Sequence, residues 1–365
     1  MEQKLLLTPG PLSTSKSVKE AMLYDLGTRD QEYGDIVQET RAMLLEVGQA
    51  DASKYSVVLL QGSGTYAVES VLTSYISKQD KVLILANGAY GKRMALICEK
   101  ANICHEIINF DMTASLPLDE LTQYIKKDEY THVAFIHMET TAGIQNNLAA
   151  INQLCKTYHK KIIVDAMSCF GGVQTNLDEL DLDFLITSSN KCIQGVPGLG
   201  IIYGKHEAFK DCKGNAHSLS LDLYDQYKEM EDKQGSFRFT SPTHVLLALH
   251  CALKELIKEG GVSKRSERYA TNQAFIKSEM MKRGFKVLVK DCDQSNVITT
   301  FMIPEGFDFD CFYNYLKKRN FLLYSGKLPG IQAFRIGNIG EIYLADCKRL
   351  MKVIDDYLKE NSLCK

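Results

Sequence analysis

Two stretches carry the architecture of this chain: Ile162-Ile163-Val164-Asp165-Ala166-Met167-Ser168, and Ile186-Thr187-Ser188-Ser189-Asn190-Lys191-Cys192-Ile193-Gln194-Gly195-Val196-Pro197-Gly198. Each opens as an apolar run without polar alternation, which suits a strand buried on both faces of a mainly parallel sheet. The first run ends on a carboxylate. The second ends on small polar residues and then a lysine, 191 − 165 = 26 residues on. Open α/β sheets bind ligands outside the carboxyl ends of their strands, where both residues would sit. A buried Asp there needs a cationic or donor partner. A desolvated lysine can lower its pKa and become a nucleophile or base. Taken separately, Asp165 reads as well as a helix cap or loop anchor, and Lys191 more readily as a surface lysine.

Outward from these stretches the chain alternates apolar runs with helical patterns. Runs at 56–60, 81–85, 132–137, 161–164, 184–187 and 200–203 read as strands, and 66–76, 93–101 and 149–159 as helices. Strand–helix repetition is the signature of an α/β layer architecture. From about Pro242 the pattern changes. Long helices are expected over 245–257 and 266–281, strands over 285–289, 297–302 and 334–336, and helices over 309–318 and 344–358. This is a smaller α+β unit. The expected division is a large domain over 16–255 and a small one over 256–365.

Composition narrows the partners. The chain has 365 residues, a formal net charge of -2 and no clustered Lys/Arg stripe, which argues against nucleic acid. No stretch approaches the ~20 apolar residues of a membrane span, and the apolar run Leu5-Leu6-Leu7 is too short for a signal peptide. The 11 cysteines lie scattered with no CxxC pair, so neither a disulfide framework nor a metal site is expected. Reduced, mostly buried thiols in a cytoplasmic protein fit better. Cys192, beside Lys191, is the one thiol with a functional suspicion.

A third motif, Gly62-Ser63-Gly64-Thr65-Tyr66-Ala67, follows a strand and opens a helix, so its amides and the helix dipole make an anion site. It matches the GxGxxA dinucleotide fingerprint, but that reading needs a carboxylate at the end of the next strand, where Ala86-Asn87 stand. A monophosphate cradle with the Ser63 and Thr65 hydroxyls as added donors fits better, with a plain helix start as the alternative. Cradle, strand-end carboxylate and lysine together are the parts of a pyridoxal 5'-phosphate site, where the carboxylate keeps the pyridine nitrogen protonated and the lysine forms the Schiff base.

The chain resembles the class-V aminotransferases, a family of fold-type I pyridoxal-phosphate enzymes. The resemblance covers nearly its whole length. It runs through Leu6-Leu7-Thr8-Pro9-Gly10-Pro11, Leu60-Gln61-Gly62-Ser63-Gly64, Asn87-Gly88-Ala89-Tyr90-Gly91 and Glu139-Thr140-Thr141, besides the Asp165 and Lys191 segments. It continues through Ser218 to Tyr224, Arg238-Phe239-Thr240-Ser241-Pro242-Thr243-His244 and Phe334 to Glu341; the Lys191 loop, the Asp222 segment and the Arg335 segment together are narrower, and resemble the branch that moves an amino group from 2-aminoethylphosphonate to pyruvate. The resemblance implies an α/β fold with a mainly parallel seven-stranded sheet, and an N-terminal segment 1–15 packed on the small domain. It implies a homodimer with shared active sites. It implies Lys191 and Asp165 as catalytic residues, and Ser63, Gly64 and Thr65 at the phosphate. Asn190 stands beside the lysine, Tyr90 over the ring, and Thr141, or less readily Thr140, at the ring hydroxyl or phosphate. Thr240 would reach the phosphate of the neighbouring subunit, and Arg335 the substrate anion, with Arg29 or Arg93 next in line. Segment 25–33 departs from the family pattern and is expected near the substrate entrance.

Alternatives remain open on the sequence. A sister aminotransferase using alanine or serine with glyoxylate shares most of these motifs. A pyridoxal-phosphate lyase such as a cysteine desulfurase needs a thiolate on a mobile loop, for which Cys192 is poorly placed. A non-catalytic protein keeping the fold would not need Lys191 and Asp165 intact.

Overall fold

The computed structural model describes residues 3–328 and 330–361. Seven strands form the central sheet: β1 (Tyr55–Gln61), β2 (Val82–Ala86), β3 (His105–Asn109), β4 (His132–Ile136), β5 (Lys161–Asp165), β6 (Phe184–Ser188) and β7 (Leu199–Lys205). Their spatial order is β1-β7-β6-β5-β4-β2-β3. Strand β7 runs antiparallel to both neighbours, and every other pairing in the sheet is parallel. The apolar runs are buried from end to end in β2, β4 and β6, as expected of strands covered on both faces by helices.

Register places the chemistry. Ile136 pairs with Asp165 and Asp165 with Ile186, so the carboxylate is the last residue of its strand, level with the end of β4 and the middle of β6. Helix α1 (Gln31–Gly48) precedes β1, and α2 (Gly64–Tyr75) and α3 (Ala89–Lys100) follow β1 and β2. Each of these last two helices therefore begins at the edge where Asp165 ends its strand. Edge strand β3 and helix α1 escape a pattern search. Strand β3 is only half-buried, and α1 mixes apolar and polar residues on a weakly amphipathic surface.

Helices α4 (Thr243–Glu259) and α5 (Gly261–Lys282) lead to a three-stranded antiparallel sheet of β8 (Ile298–Met302), β9 (Tyr324–Leu328) and β10 (Ile331–Gly337), in the order β8-β10-β9, and to helix α6 (Leu344–Glu360). The strand expected over 285–289 reduces to one bridge, Val287 to Phe301, because chain 289–297 turns away before a ladder can build. Two main apolar cores result. The larger fills the space around the seven-stranded sheet and takes in Leu246 to Leu256 of α4. The smaller gathers Phe285, Phe301, Phe312, Phe334 and the inner face of α6, with Leu7 from the N-terminal segment. Leu5–Leu6 pairs in parallel with Phe321–Leu322, tying that segment to the second core. The division expected at 255/256 falls inside the last turns of α4.

Candidate active site

A cleft of about 210 Å³ opens at the carboxyl ends of β1, β5 and β6. Its wall includes Ser63, Gly64 and Thr65 at the start of α2, Tyr90 and Arg93 from the first turn of α3, Asp165 and Ser188 at strand ends, and Asn190 and Lys191. The sequence separates these residues by up to 191 − 63 = 128 positions, and the strand order brings them together.

The start of α2 is pressed against the residue two after the carboxylate. A Cβ on Gly64 would lie 2.2 Å from the Met167 sulfur, so a glycine there lets the helix N-terminus face the cleft. Exposed amides and the positive end of the helix dipole favour an anion at this point. Arg93 adds charge: its Nη1 donates to Thr65 Oγ1 at 3.2 Å, and its guanidinium lies 4.8 Å from the centroid of the Tyr90 ring.

Asp165 is buried, and the Met167 amide donates to its Oδ1 at 2.8 Å. Burial pushes its carboxyl up to about 6, against that amide and with help from the nearby charge of Glu139. Lys191 donates from Nζ to the Pro9 carbonyl at 2.8 Å. Burial pulls its pKa down; Cys192 and Asp165 oppose the shift, and Arg335 and Arg93 reinforce it. A lysine so desolvated holds its amine nearer the neutral, nucleophilic form.

Three expected residues lie outside the cleft wall. The Thr141 hydroxyl donates to Glu139 Oε1 at 2.5 Å and accepts from the Ala89 amide at 3.0 Å, which puts it directly behind Tyr90. Arg335, on β10, donates from Nη1 to the Thr140 carbonyl at 2.7 Å, and its guanidinium lies 5.1 Å from the Tyr324 ring centroid. Thr240 is exposed and lines a different cleft, with Arg29, Tyr33 and Arg238. Of segment 25–33, Thr28 to Gln31 and Tyr33 line that same second cleft, and none of it lines the one holding Lys191. Of the two other arginines, Arg93 is in the Lys191 cleft and Arg29 is not.

Cys192 is fully buried and donates to the Ser168 carbonyl at 3.3 Å; burial pushes its thiol up to about 12. No thiolate is available there. None of the ten described cysteines is bonded to another, and Cys364 lies outside the described residues. Among the described residues no His/Cys/Asp/Glu group suits a metal ion, and no helix is long and apolar enough to cross a membrane.

Sequence reading missed two supports of this site. Glu139 is completely buried beside Tyr90, and its signal was its place in the Glu139-Thr140-Thr141 motif. Arg265, 1 % exposed, donates from α5 to the carbonyls of Cys192 and Ile193 at 3.0 and 3.1 Å, and so holds the loop after Lys191. Only an arginine inside a helical pattern marked it, and most such arginines are solvated.

With this geometry in view, the class-V aminotransferase family matches residues 16–334. A 2-aminoethylphosphonate–pyruvate transaminase of Bacteroides fragilis is 48% identical over 97% of this chain and 99% of its own length. The chain belongs to the class-V aminotransferases. A transaminase of the same name from Bacillus cereus is also 48% identical, over 96% of each chain. Among solved structures, ureidoglycine–glyoxylate aminotransferase of Bacillus subtilis superposes with a TM-score of 0.92 over 99% of this chain and 94% of that one, at 24% identity. That likeness speaks for the fold of a class-V aminotransferase, a mostly parallel seven-stranded sheet with a smaller α+β unit, and for nothing finer.

Proposed function

We propose that this aminotransferase moves the amino group of 2-aminoethylphosphonate to pyruvate, giving phosphonoacetaldehyde and L-alanine, with pyridoxal 5'-phosphate in the Lys191 cleft. The observation that carries the reading is the 48% identity, over nearly the full length of both chains, to relatives that bear this activity in their names. The cleft fits the cofactor's chemistry. It offers an amide-lined helix start with Arg93 for a phosphate, a strand-end carboxylate for a ring nitrogen, and a desolvated lysine for an aldehyde. The Ser188 hydroxyl, buried at the cleft wall with no hydrogen-bond partner in the protein, is a further group for a ligand to satisfy.

When bound, pyridoxal phosphate supplies a carrier for the amino group and a sink for an electron pair. The residues supply the rest. Ser63, Gly64 and Thr65 hold the phosphate and Tyr90 packs on the ring. Asp165, already disposed to share a proton, keeps one on the ring nitrogen. Lys191 would tether the cofactor, and once displaced its amine would take the proton from the amino-bearing carbon and return it, on the same face, to the cofactor's C4' carbon. Asn190, in the cleft wall beside Lys191, and Thr141, at the ring hydroxyl or phosphate, add contacts to the cofactor. Arg335 grips both substrate anions, since a guanidinium fork meets phosphonate and carboxylate oxygens alike. Release of phosphonoacetaldehyde before pyruvate enters gives ping-pong kinetics.

The reading includes a second copy of the chain. Thr240 is exposed and lies away from its own cleft, beside Phe239, which is 51% exposed, so it is free to reach a partner's phosphate. Lack of a membrane-length helix among the described residues and unpaired thiols support a cytoplasmic setting. The test is alanine formation from pyruvate with aminoethylphosphonate as sole amine, beside serine and alanine with glyoxylate. Faster turnover of the glyoxylate pair would overturn the substrate assignment and leave the aminotransferase.

A further inference from the structure

Glu139 has no exposed surface, yet nothing in the proposed chemistry uses it. It ends the short strand Met138–Glu139, which pairs antiparallel with Ile144–Gln145 beyond the carboxyl end of β4. Its carboxylate meets donors on all sides. Oε1 accepts the Thr141 hydroxyl at 2.5 Å and the Thr141 amide at 3.0 Å. Oε2 accepts the Tyr90 amide at 3.1 Å. Helix α3 has no cap of its own, because its N-cap residue is Gly88. A Cβ on Gly88 would lie 2.2 Å from Glu139 Cδ, so the glycine makes the room in which this distant carboxylate caps the helix.

Two arms leave this carboxylate. One is the first turn of α3, which carries Tyr90 and Arg93 into the cleft wall. The other is the tight turn after Glu139, closed by the Gly143 amide donating to the Glu139 carbonyl at 3.0 Å. That turn offers the Thr140 carbonyl on which Arg335 rests at 2.7 Å. We propose that Glu139 is a positioning residue for transamination: its carboxylate sets Tyr90 over the cofactor ring and, through the 139–143 turn, sets Arg335 at the substrate anion. This rests on the roles of Tyr90 and Arg335 given above.

A chemical consequence follows for Thr141. Its single hydroxyl proton goes to Glu139, and one lone pair takes the Ala89 amide. One lone pair remains, so Thr141 meets the cofactor as an acceptor. Glutamine cannot replace Glu139 in this setting. The Thr141 amide points at one carboxylate oxygen and the Tyr90 amide at the other, so the NH₂ of a glutamine would face an N–H whichever way it turned.

The experiment compares wild type, Glu139→Gln and Gly88→Ala as purified full chains stripped of cofactor. Pyridoxal phosphate is titrated back by fluorescence, the reloaded proteins are examined by visible circular dichroism, and KM is measured for each substrate. Glu139→Gln should weaken cofactor binding about tenfold or more and raise both KM values by a similar factor, from the loss of hydrogen bonds to a charged group. The cofactor's dichroic band should change, since its ring rests on a shifted Tyr90. Gly88→Ala, which pushes the carboxylate without replacing it, should reproduce the pattern, and it decides the matter if Glu139→Gln does not fold. A general loss of structure lowers kcat through fewer active molecules and leaves KM in place. Wild-type cofactor affinity and wild-type KM values in either folded variant would overturn the proposal. If wild type makes no alanine from aminoethylphosphonate, the substrate assignment falls, and the cofactor titration and dichroism still judge Glu139.

Discussion

Asp165→Asn should make the cofactor-free protein more stable while it disables the enzyme. In the folded, cofactor-free chain the carboxyl of Asp165 is pushed from 3.8 to about 6, chiefly by burial. A raised carboxyl pKa means that the folded state binds the proton more tightly than the unfolded one, so stability falls as pH rises through that window. The ionised carboxylate then costs the folded chain about 1.5 kcal/mol at pH 5 and about 3 kcal/mol at pH 8, and nothing once both states are protonated. Asparagine carries no charge and still accepts the Met167 amide through its oxygen. Urea unfolding of cofactor-free wild type and Asp165→Asn at several pH values between 5 and 8 measures the difference. The variant should be the more stable at pH 8, and its advantage should shrink towards pH 5. His137, fully buried with its pKa pulled down to about 4, titrates nearby in both proteins, so the difference between the curves carries the test. With cofactor bound the sign reverses, because the carboxylate then faces a protonated ring nitrogen. Turnover should fall by about 10- to 100-fold, the worth of one hydrogen bond between charged groups. A variant that is less stable than wild type at pH 8 without cofactor, or an advantage that grows towards pH 5, would refute the reasoning.

Further outcomes are expected. Lys191→Ala should lose turnover, because amine exchange and proton transfer both need that nitrogen, yet still bind pyridoxal phosphate by equilibrium dialysis; turnover within tenfold of wild type would contradict the role. Arg335→Lys should weaken both half-reactions by roughly 1–3 kcal/mol, the phosphonate half at least as much as the pyruvate half, read by single-turnover absorbance with each substrate alone. If neither half slows or loses affinity, Arg93, which already lines the cleft, is the better anion partner. Thr240→Val should weaken cofactor binding in the assembled protein, and mixing it with Lys191→Ala should restore some activity through hybrid sites; sedimentation of a fully active monomer would rule out the shared site.

Local sequence determined the central layer of this protein and three corners of its cleft. Short apolar runs with no polar alternation, bounded by turn residues, suit strands covered on both faces, so β2, β4, β5 and β6 are legible directly, and with them the strand-end Asp165. Gly64 between small polar residues marks a helix start, and Lys191 lies in the loop after β6, where a Gly/Pro-rich turn follows. Strand β3 was not legible in the same way, because a half-buried edge carries a weaker pattern, and the run 285–289 read as a strand although only one bridge forms there. Tertiary structure alone decided what surrounds the lysine. The desolvation that shifts Asp165 and Lys191 comes from packing of segments far apart in the chain, with Pro9 reaching Lys191 from the N-terminus. The convergence of Glu139, Tyr90, Thr141 and Arg335 comes from a ribbon, a helix start and a strand of the second sheet meeting at one point. Hydrogen bonds between such distant segments leave no periodicity in the chain, and a buried carboxylate looks in sequence like any solvated one.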